Sequence, residues 1–449
     1  MTDSSRHSIA PASRPSIGLQ LPSQLDLSEL SSELKNSLPT GTLNDADVAY
    51  LQDASAFLMR LGRVLHAQGT SAMRLEEALG GCAARLGLRA QLFSTPTSLF
   101  IAVGDDRVAQ THMVRVEPGE VNLSRLVELD ALIDSIGKGN VSLRQGFEHL
   151  DLVASAPHPY PAWLAPVAFG VSSAGAACFF RGNALDVAFS AALGLCLGAL
   201  TLWMDRAAAT RRIYPALASC LAAALALALG HYLPLSPSVI TVSALIVLVP
   251  GLTLTVAMSE LATAHLMSGT ARFAAALVTF LQMGLGVGLG RELVQRLLGP
   301  TTLPARSAEL PAVVEFVALA VTPLAFGVLF RARRRDIPLI ALTSVLGFLG
   351  ARAGAHLLGP ELGAFAGAFV VAGISNWLAR QLKRPASITL VPGIMLLVPG
   401  SIGFRSLNSF LERDVLTGTE GVFRMFLVAA TLVGGLLMAN AVLPPRREL

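Results

Sequence analysis

The sequence predicts an α-helical polytopic membrane protein: ten spans forming two inverted five-helix repeats, preceded by a small cytoplasmic α+β domain. Three observations predict it. The 449 residues are 53% hydrophobic and 14% charged, with a mean hydropathy of +0.59, too apolar for a soluble chain of this length. The apolarity is concentrated: charges run through residues 1–160, whereas 161–443 is a series of apolar runs. Two turn-type motifs also recur in one register. Val249-Pro250-Gly251 matches Val398-Pro399-Gly400, and Ser268-Gly269-Thr270 matches Thr417-Gly418-Thr419, both at an offset of 149.

The elements follow in chain order. Residues 1–44 are rich in Ser, Pro and Leu and lack the compact apolar core of a signal peptide. They predict a disordered tail with weak helix at 25–38, and a following domain that stays in the cytoplasm. Residues 45–87 predict two helices separated by Gly69, the first with Leu51, Phe57, Leu58, Leu61 and Leu65 at helical spacing. Thr70 or Ser71 is placed to cap the second, with Glu76 and Glu77 near its start. Segments 90–103 and 111–117 are β-rich, Pro118-Gly119 marks a turn, and amphipathic helices are expected at 123–136 and 142–153. This is a 45–160 domain of α+β type, joined to the membrane through a Pro-rich linker at 157–166.

A spanning helix needs about 20 apolar residues. By that criterion the runs are 162–180, 184–204, 213–233, 238–258 and 271–292 in a first repeat (161–298). A second repeat (311–443) holds 311–330, 337–357, 361–379, 387–404 and 422–443. With the domain inside, loops 331–336 and 380–386 fall inside and carry seven Lys/Arg against one acid, whereas 234–237 and 358–360 fall outside and carry none. That is the positive-inside bias. Five spans per repeat is an odd number, so the second repeat enters from the opposite side and a tandem sequence repeat becomes an inverted structural one. Both termini are then cytoplasmic.

Broken helices at corresponding places in two repeats point to a transporter's binding site. Proline removes a donor and glycine permits an unwound backbone. Pro250, Gly251, Thr253 and Thr255 at the first break, and Pro399, Gly400 and Ser401 at the second, are therefore the candidate substrate-binding residues for a small polar solute. The competing readings are a plain proline kink and, for each hydroxyl, a bond back to its own helix. Asp186, Glu260, Arg272, Glu292, Glu315, Arg352 and Glu361 lie in or beside the spans. Most are expected near helix ends, exposed or snorkelling, with Arg352 and Glu361 close enough to pair. Glu315, about one turn inside its span, is the candidate coupling carboxylate.

The net charge of +4 is explained by basic clusters flanking the spans, so no nucleic-acid partner is expected. Cys82, Cys178, Cys196 and Cys220 show no CxxC spacing, and neither metal nor cofactor is predicted. No P-loop, GxSxG, HExxH or dinucleotide fingerprint is present, so no catalytic residues are assigned. His66, Arg74, Glu76 and Glu77 form either an acid/base cluster or simply a charged helix face.

The stretches LMRLGRVLHAQGTSAMRLEEAL (58–79), FSTPTSLFIAV (93–103) and MVRVEPGEVNLSRLVELDALI (113–133) occur in that order. LVPG (248–251), LMSGTAR (266–272) and LLVPG (396–400) follow. Together they resemble the threonine/serine exporter family over about 50–443. The resemblance implies a ten-span carrier of the bacterial inner membrane exporting threonine and serine, driven by proton motive force. Gly69, Arg74, Glu76 and Glu77 match the family's soluble motif, whose role is unassigned. Split relatives imply a C4-dicarboxylate exporter as an alternative substrate reading. An alternative from another class is a membrane-anchored sensor or enzyme working through 45–160. The expected partners are the small-molecule substrate and the lipid bilayer, with self-association left open.

Overall fold

The computed structural model describes residues 45–105, 108–204, 206, 208–299 and 310–445. The expected tail at 1–44, with its weak helix at 25–38, lies outside them. The chain divides into a short unit, Met1–Tyr50, and a second unit, Leu51–Leu449.

Helices α1 (Asp45–Ala67) and α2 (Ala72–Arg85) are the two expected around Gly69. Phe57, Leu58, Leu61 and Leu65 form one fully buried stripe on α1. Gly69 has φ +73°, and a Cβ there would lie 2.9 Å from the Val121 amide nitrogen. Both facts demand glycine. Three strands follow as an antiparallel meander: β1 (Ala90–Thr95), β2 (Ser98–Asp105) and β3 (Val108–Arg115). The single β-rich segment expected at 90–103 is two strands, with Thr95 opposite Ser98 across a turn at Pro96-Thr97. Proline cannot donate to a ladder, so the chain reverses there. Alternate residues of β2, Leu99, Ile101 and Val103, enter the core with α1, α2 and α3 (Leu123–Gly137). Helix α4 (Leu143–Ser155) starts with a Ser142–Gln145 capping box, and the Phe57 and Phe147 rings meet edge-on at 5.4 Å.

Among the described residues twelve α-helices follow: α5 (Leu164–Phe179), α6 (Ala184–Met204), α7 (Ala208–Gly230), α8 (Pro237–Ala244), α9 (Gly251–Ala262), α10 (Leu266–Leu298), α11 (Ala312–Leu329), α12 (Ile337–Leu358), α13 (Pro360–Leu382), α14 (Ser387–Met395), α15 (Gly400–Leu411) and α16 (Val415–Val442). Among the described residues, eight stretches are long and apolar enough to cross a membrane, counting Ser387–Leu411 as one. Two of the ten expected runs fall short. The run at 162–180 gives α5, of 16 residues, and 238–258 is divided into α8 and α9, of 8 and 12 residues. Helix α10 shows what faces outward: Leu277, Leu281, Leu285, Leu289 and Leu293 are each at least half exposed, four residues apart. Such a stripe suits hydrocarbon, not water.

Local geometry recurs between the two halves, at offsets of 150 and then 149. Helix α5 ends in a left-handed Arg181 (φ 57°), with Gly182 N donating to Ala177 O at 2.9 Å. Helix α11 ends in a left-handed Arg331 (φ 54°), with Ala332 N donating to Gly327 O at 2.8 Å. Helices α9 and α15 are each 12 residues long and close onto the next helix through left-handed Ala264 (φ 65°) and Arg413 (φ 63°). The second motif explains itself here. Gly269 lies against Leu261 and Gly418 against Phe410, so each glycine lets the following helix fold back on the short one.

Candidate functional site

Both breaks form, but the Pro-Gly pairs mark where helices restart. After α8 the chain turns through Leu245–Pro250, with Leu248 N and Val249 N bonded to Leu245 O. Pro250 is then the N-cap of α9 and Gly251 its first residue. Pro399 and Gly400 hold the same positions on α15. A third Val-Pro-Gly, at 391–393, lies inside α14 without breaking it. The tripeptide alone therefore does not stop a helix.

The two restarts touch. A Cβ on Gly251 would lie 3.1 Å from Gly400 Cα, and one on Gly400 would lie 3.0 Å from Gly251 Cα. Val398 and Val249 close the crossing from either side. Each short helix packs on the long helix that follows it and on the long helix of the other half, α9 on α10 and α16, α15 on α16 and α10. The candidate hydroxyls are only partly available. Thr255 is buried and donates to Gly251 O at 3.1 Å, the back-bond expected of a helix hydroxyl. Thr253 and Ser401 are half-buried beside the crossing.

The ionisable residues correct the sequence reading in two ways. Asp186 and Glu260 are each 1% exposed and do not snorkel. Asp186 accepts from Asn183 N (3.0 Å) and Ser236 N (2.7 Å), tying the start of α6 to the start of α8. Its counterpart Asp336, at an offset of 150, is equally buried and paired with Arg384 before α14. Secondly, Arg352 pairs with Glu315 at 3.0 Å, not with Glu361, which faces Arg424 at 3.8 Å. Glu315 is in the first turn of α11 and Glu361 in that of α13, and those starts have different neighbours.

Glu260 clasps the α+β domain. Its Oε1 accepts from Ala72 N at 2.8 Å, and its Oε2 accepts from Ser268 Oγ at 2.8 Å and faces Arg272 Nε at 3.2 Å. Arg272 also donates to Thr70 O at 3.4 Å. The cap of α2 is therefore this carboxylate, not the Thr70 or Ser71 side chain: Thr70 Oγ1 donates to Leu65 O, and Ser71 makes no cap bond. A carboxylate at a helix N-terminus also meets the positive end of the helix dipole. Nearby, Glu76 accepts from Ser94 N at 2.7 Å and faces His265 Nε2 at 3.5 Å. His66 Nε2 donates to the Thr95 carbonyl at 3.2 Å. Burial, aided by the Arg272 charge and opposed by the Thr95 carbonyl, holds His66 below its ordinary 6.5. Arg74 is lowered by burial against the pull of Glu77. Of the four soluble-motif residues, Gly69 shapes the backbone and Glu76 bridges to His265. No group of three or more metal-binding side chains occurs among the described residues. A second contact joins α3 to the end of α11: Leu123 N and Ser124 N donate to Phe330 O and Arg331 O, and Arg333 pairs with Glu128 at 3.1 Å.

At the opposite ends of these helices lies an open cavity of about 1010 Å³. Arg291 on its wall is 25 residues along α10 from Leu266, about 38 Å at helical rise. Phe180, Thr241, Arg405, Asn408 and Glu412 also line it. Sequence reasoning missed this cavity because it placed 405–421 in a loop. The available signal was charge within three turns of a helix restart.

The "Putative threonine/serine exporter" family profile (ThrE) matches residues 56–294, and a second profile, "Threonine/Serine exporter, ThrE", matches 315–442. Among curated proteins, "Threonine/serine exporter" of Corynebacterium glutamicum is 25% identical over 417 residues, 90% of this chain and 84% of the relative. "Probable threonine/serine exporter" of Mycobacterium tuberculosis is 26% identical over 355 residues, 75% of this chain and 66% of the relative. "Pheromone-regulated membrane protein 10" of Candida albicans is 26% identical over 377 residues, 81% of this chain but 34% of the relative. The chain thus spans between a third and a half of the fungal proteins it matches. No solved structure matches. The first profile covers more than half of the chain, including the Glu260 clasp and the first restart, and the chain belongs to the threonine/serine exporter family.

Proposed function

We propose that the chain exports small hydroxy amino acids, threonine and serine, across the bacterial inner membrane, driven by proton motive force. Its ten spans form two inverted five-helix repeats, with α8–α9 and α14–α15 as the two interrupted ones and both termini cytoplasmic. The substrate site lies where the restarts cross, at Pro250, Gly251, Thr253, Thr255, Pro399, Gly400 and Ser401, and Glu315 is the coupling carboxylate. The observation that carries this reading is the reciprocal contact of Gly251 with Gly400. Two glycines separated by 149 positions meet as a near-symmetric pair, as inverted repeats require. In the present conformation the crossing is closed, so transport requires the half-helices to part.

The α+β domain is the cytoplasmic gate. Subtracting 149 from Ser409, on the wall of the outer cavity, gives Glu260, which is covered by the start of α2. The domain thus sits over the mirror image of that cavity and must shift before solute enters from the cytoplasm. Gly69, Arg74, Glu76 and Glu77 belong to this gate, with Glu76 acting through His265.

Inverted membrane vesicles carrying the full chain test the function. Labelled threonine and serine should accumulate when a proton gradient is imposed, and labelled succinate should not. Uptake of succinate alone would replace the substrate assignment, and indifference to a protonophore would remove the coupling.

A further inference from the structure

The outer cavity holds a cation in an unusual setting. Arg405 follows the Gly400 restart by five residues, about 7.5 Å along α15. Its guanidinium carbon stands 4.0 Å above the Phe180 ring, a contact that holds the planar head in place without neutralising it. Two other arginines in this region are paired, Arg291 with Glu412 at 2.8 Å and Arg296 with Glu292 at 2.7 Å. Arg405 has no acidic partner among the described residues. One turn further on the same helix face, the half-buried Asn408 has its Oδ1 shut away from solvent with no hydrogen-bond partner. The cavity therefore carries an unused fork of donors, with a covered and unused acceptor beside it.

We propose that Arg405 binds the carboxylate of the transported amino acid at an exit-side site in this cavity, and that the Asn408 side chain turns its covered Oδ1 into the cavity to accept from the ammonium group. The inference rests on the exporter reading above and deepens it. The guanidinium fork matches a carboxylate bidentately, and residues three apart on a helix are near enough for one α-amino acid to touch both. The site differs from the glycine crossing: it remains open while the crossing is shut, and it selects by the charged ends common to all amino acids. The polar residues at the crossing are then left to read the side-chain hydroxyl.

The full chain is reconstituted in proteoliposomes, and efflux of labelled threonine is measured with competitors added on the cavity side. Threonine should inhibit, and threonine amide, which lacks the carboxylate, should inhibit about tenfold less well, the loss of about 1.4 kcal/mol. Arg405→Gln should erase that difference, and Arg405→Lys should restore part of it, since lysine keeps the charge but not the fork. Equal inhibition by threonine and its amide in the wild type would overturn the inference without using any variant. So would undiminished discrimination in Arg405→Gln. If the wild type moves neither threonine nor serine, the exporter reading fails first. If it also binds none of threonine, serine and succinate in equilibrium binding, both fail together.

Discussion

Gly251 and Gly400 each lack the one atom that would hold their helices apart. A methyl on Gly251 would sit 3.1 Å from Gly400 Cα, and its opposite number 3.0 Å from Gly251 Cα. The first obstacle is a valine methyl, Val398 Cγ1 against the added carbon on Gly251 and Val249 Cγ1 at 2.7 Å from that on Gly400, and behind it lies backbone that cannot rotate away. Gly251→Ala should therefore leave membrane insertion intact and lower threonine efflux by about tenfold or more, about 1.4 kcal/mol in barrier terms. Pro250→Ala should be far milder. Pro250 is half-buried at the N-cap with φ −76°, a conformation alanine adopts readily, and the turn from Leu245 already separates α8 from α9. Efflux and surface biotinylation on each variant decide this. Equal damage from both substitutions would mean that the unwound proline, not glycine contact, is what matters.

At the scale of elements, the start of α2 depends on a side chain 188 positions away, Glu260. Removing that carboxylate leaves Ala72 N without its acceptor and Arg272 without its counter-charge. Breaking a buried pair in this way costs about 3–5 kcal/mol. Glu260→Ala should release hydrogen-exchange protection at residues 70–75 in the detergent-purified chain, while β2 keeps its own. Unchanged protection at 70–75 would show that α2 is held by its apolar face alone. The same contact should respond to pH. His66 is depressed below 6.5 chiefly by burial, with Arg272 lowering it and Glu260 raising it less, so an undocked form in which His66 is wetted binds more protons than the docked one. Docking is then at full strength above about pH 6.5 and weakens as pH falls below it. Exchange at 70–75 should rise on acidification from pH 7.5 to 5.5, and His66→Gln should flatten that part of the rise. A profile identical in His66→Gln would assign the response to other groups.

For the whole molecule, topology is the test. The turn after α9 and the loop after α11 both lie against the α+β domain, through the flanking Glu260 and Arg272 at one and Arg331 and Arg333 at the other. The cavity opens at the far ends of the helices. Cysteines placed at the exposed Arg335 and Ser238 should therefore label from opposite sides of the membrane, with position 335 cytoplasmic. Labelling of both from one side would defeat the inverted arrangement.

The sequence by itself determined the local features. Apolar runs, the Gly69 turn and the two matched Pro-Gly positions all depend on residues near one another in the chain, where helix period and the special geometry of Pro and Gly act directly. It also indicated that two halves correspond, because the offset of 149 is visible without coordinates. It did not reveal which Val-Pro-Gly interrupts a helix. The copy at 391–393 stays helical inside α14, whereas those at 249–251 and 398–400 begin new helices. Only the tertiary structure decided the partners of the charges. Glu260, Asp186 and Arg352 each pair according to which helix ends come together, and a carboxylate at the edge of an apolar run looks the same in sequence whether it meets water, an arginine or the amide of a distant helix. The Arg405 cavity was hidden for the same reason: it exists only between ends of helices from both halves, and no periodicity within one segment encodes a space between several.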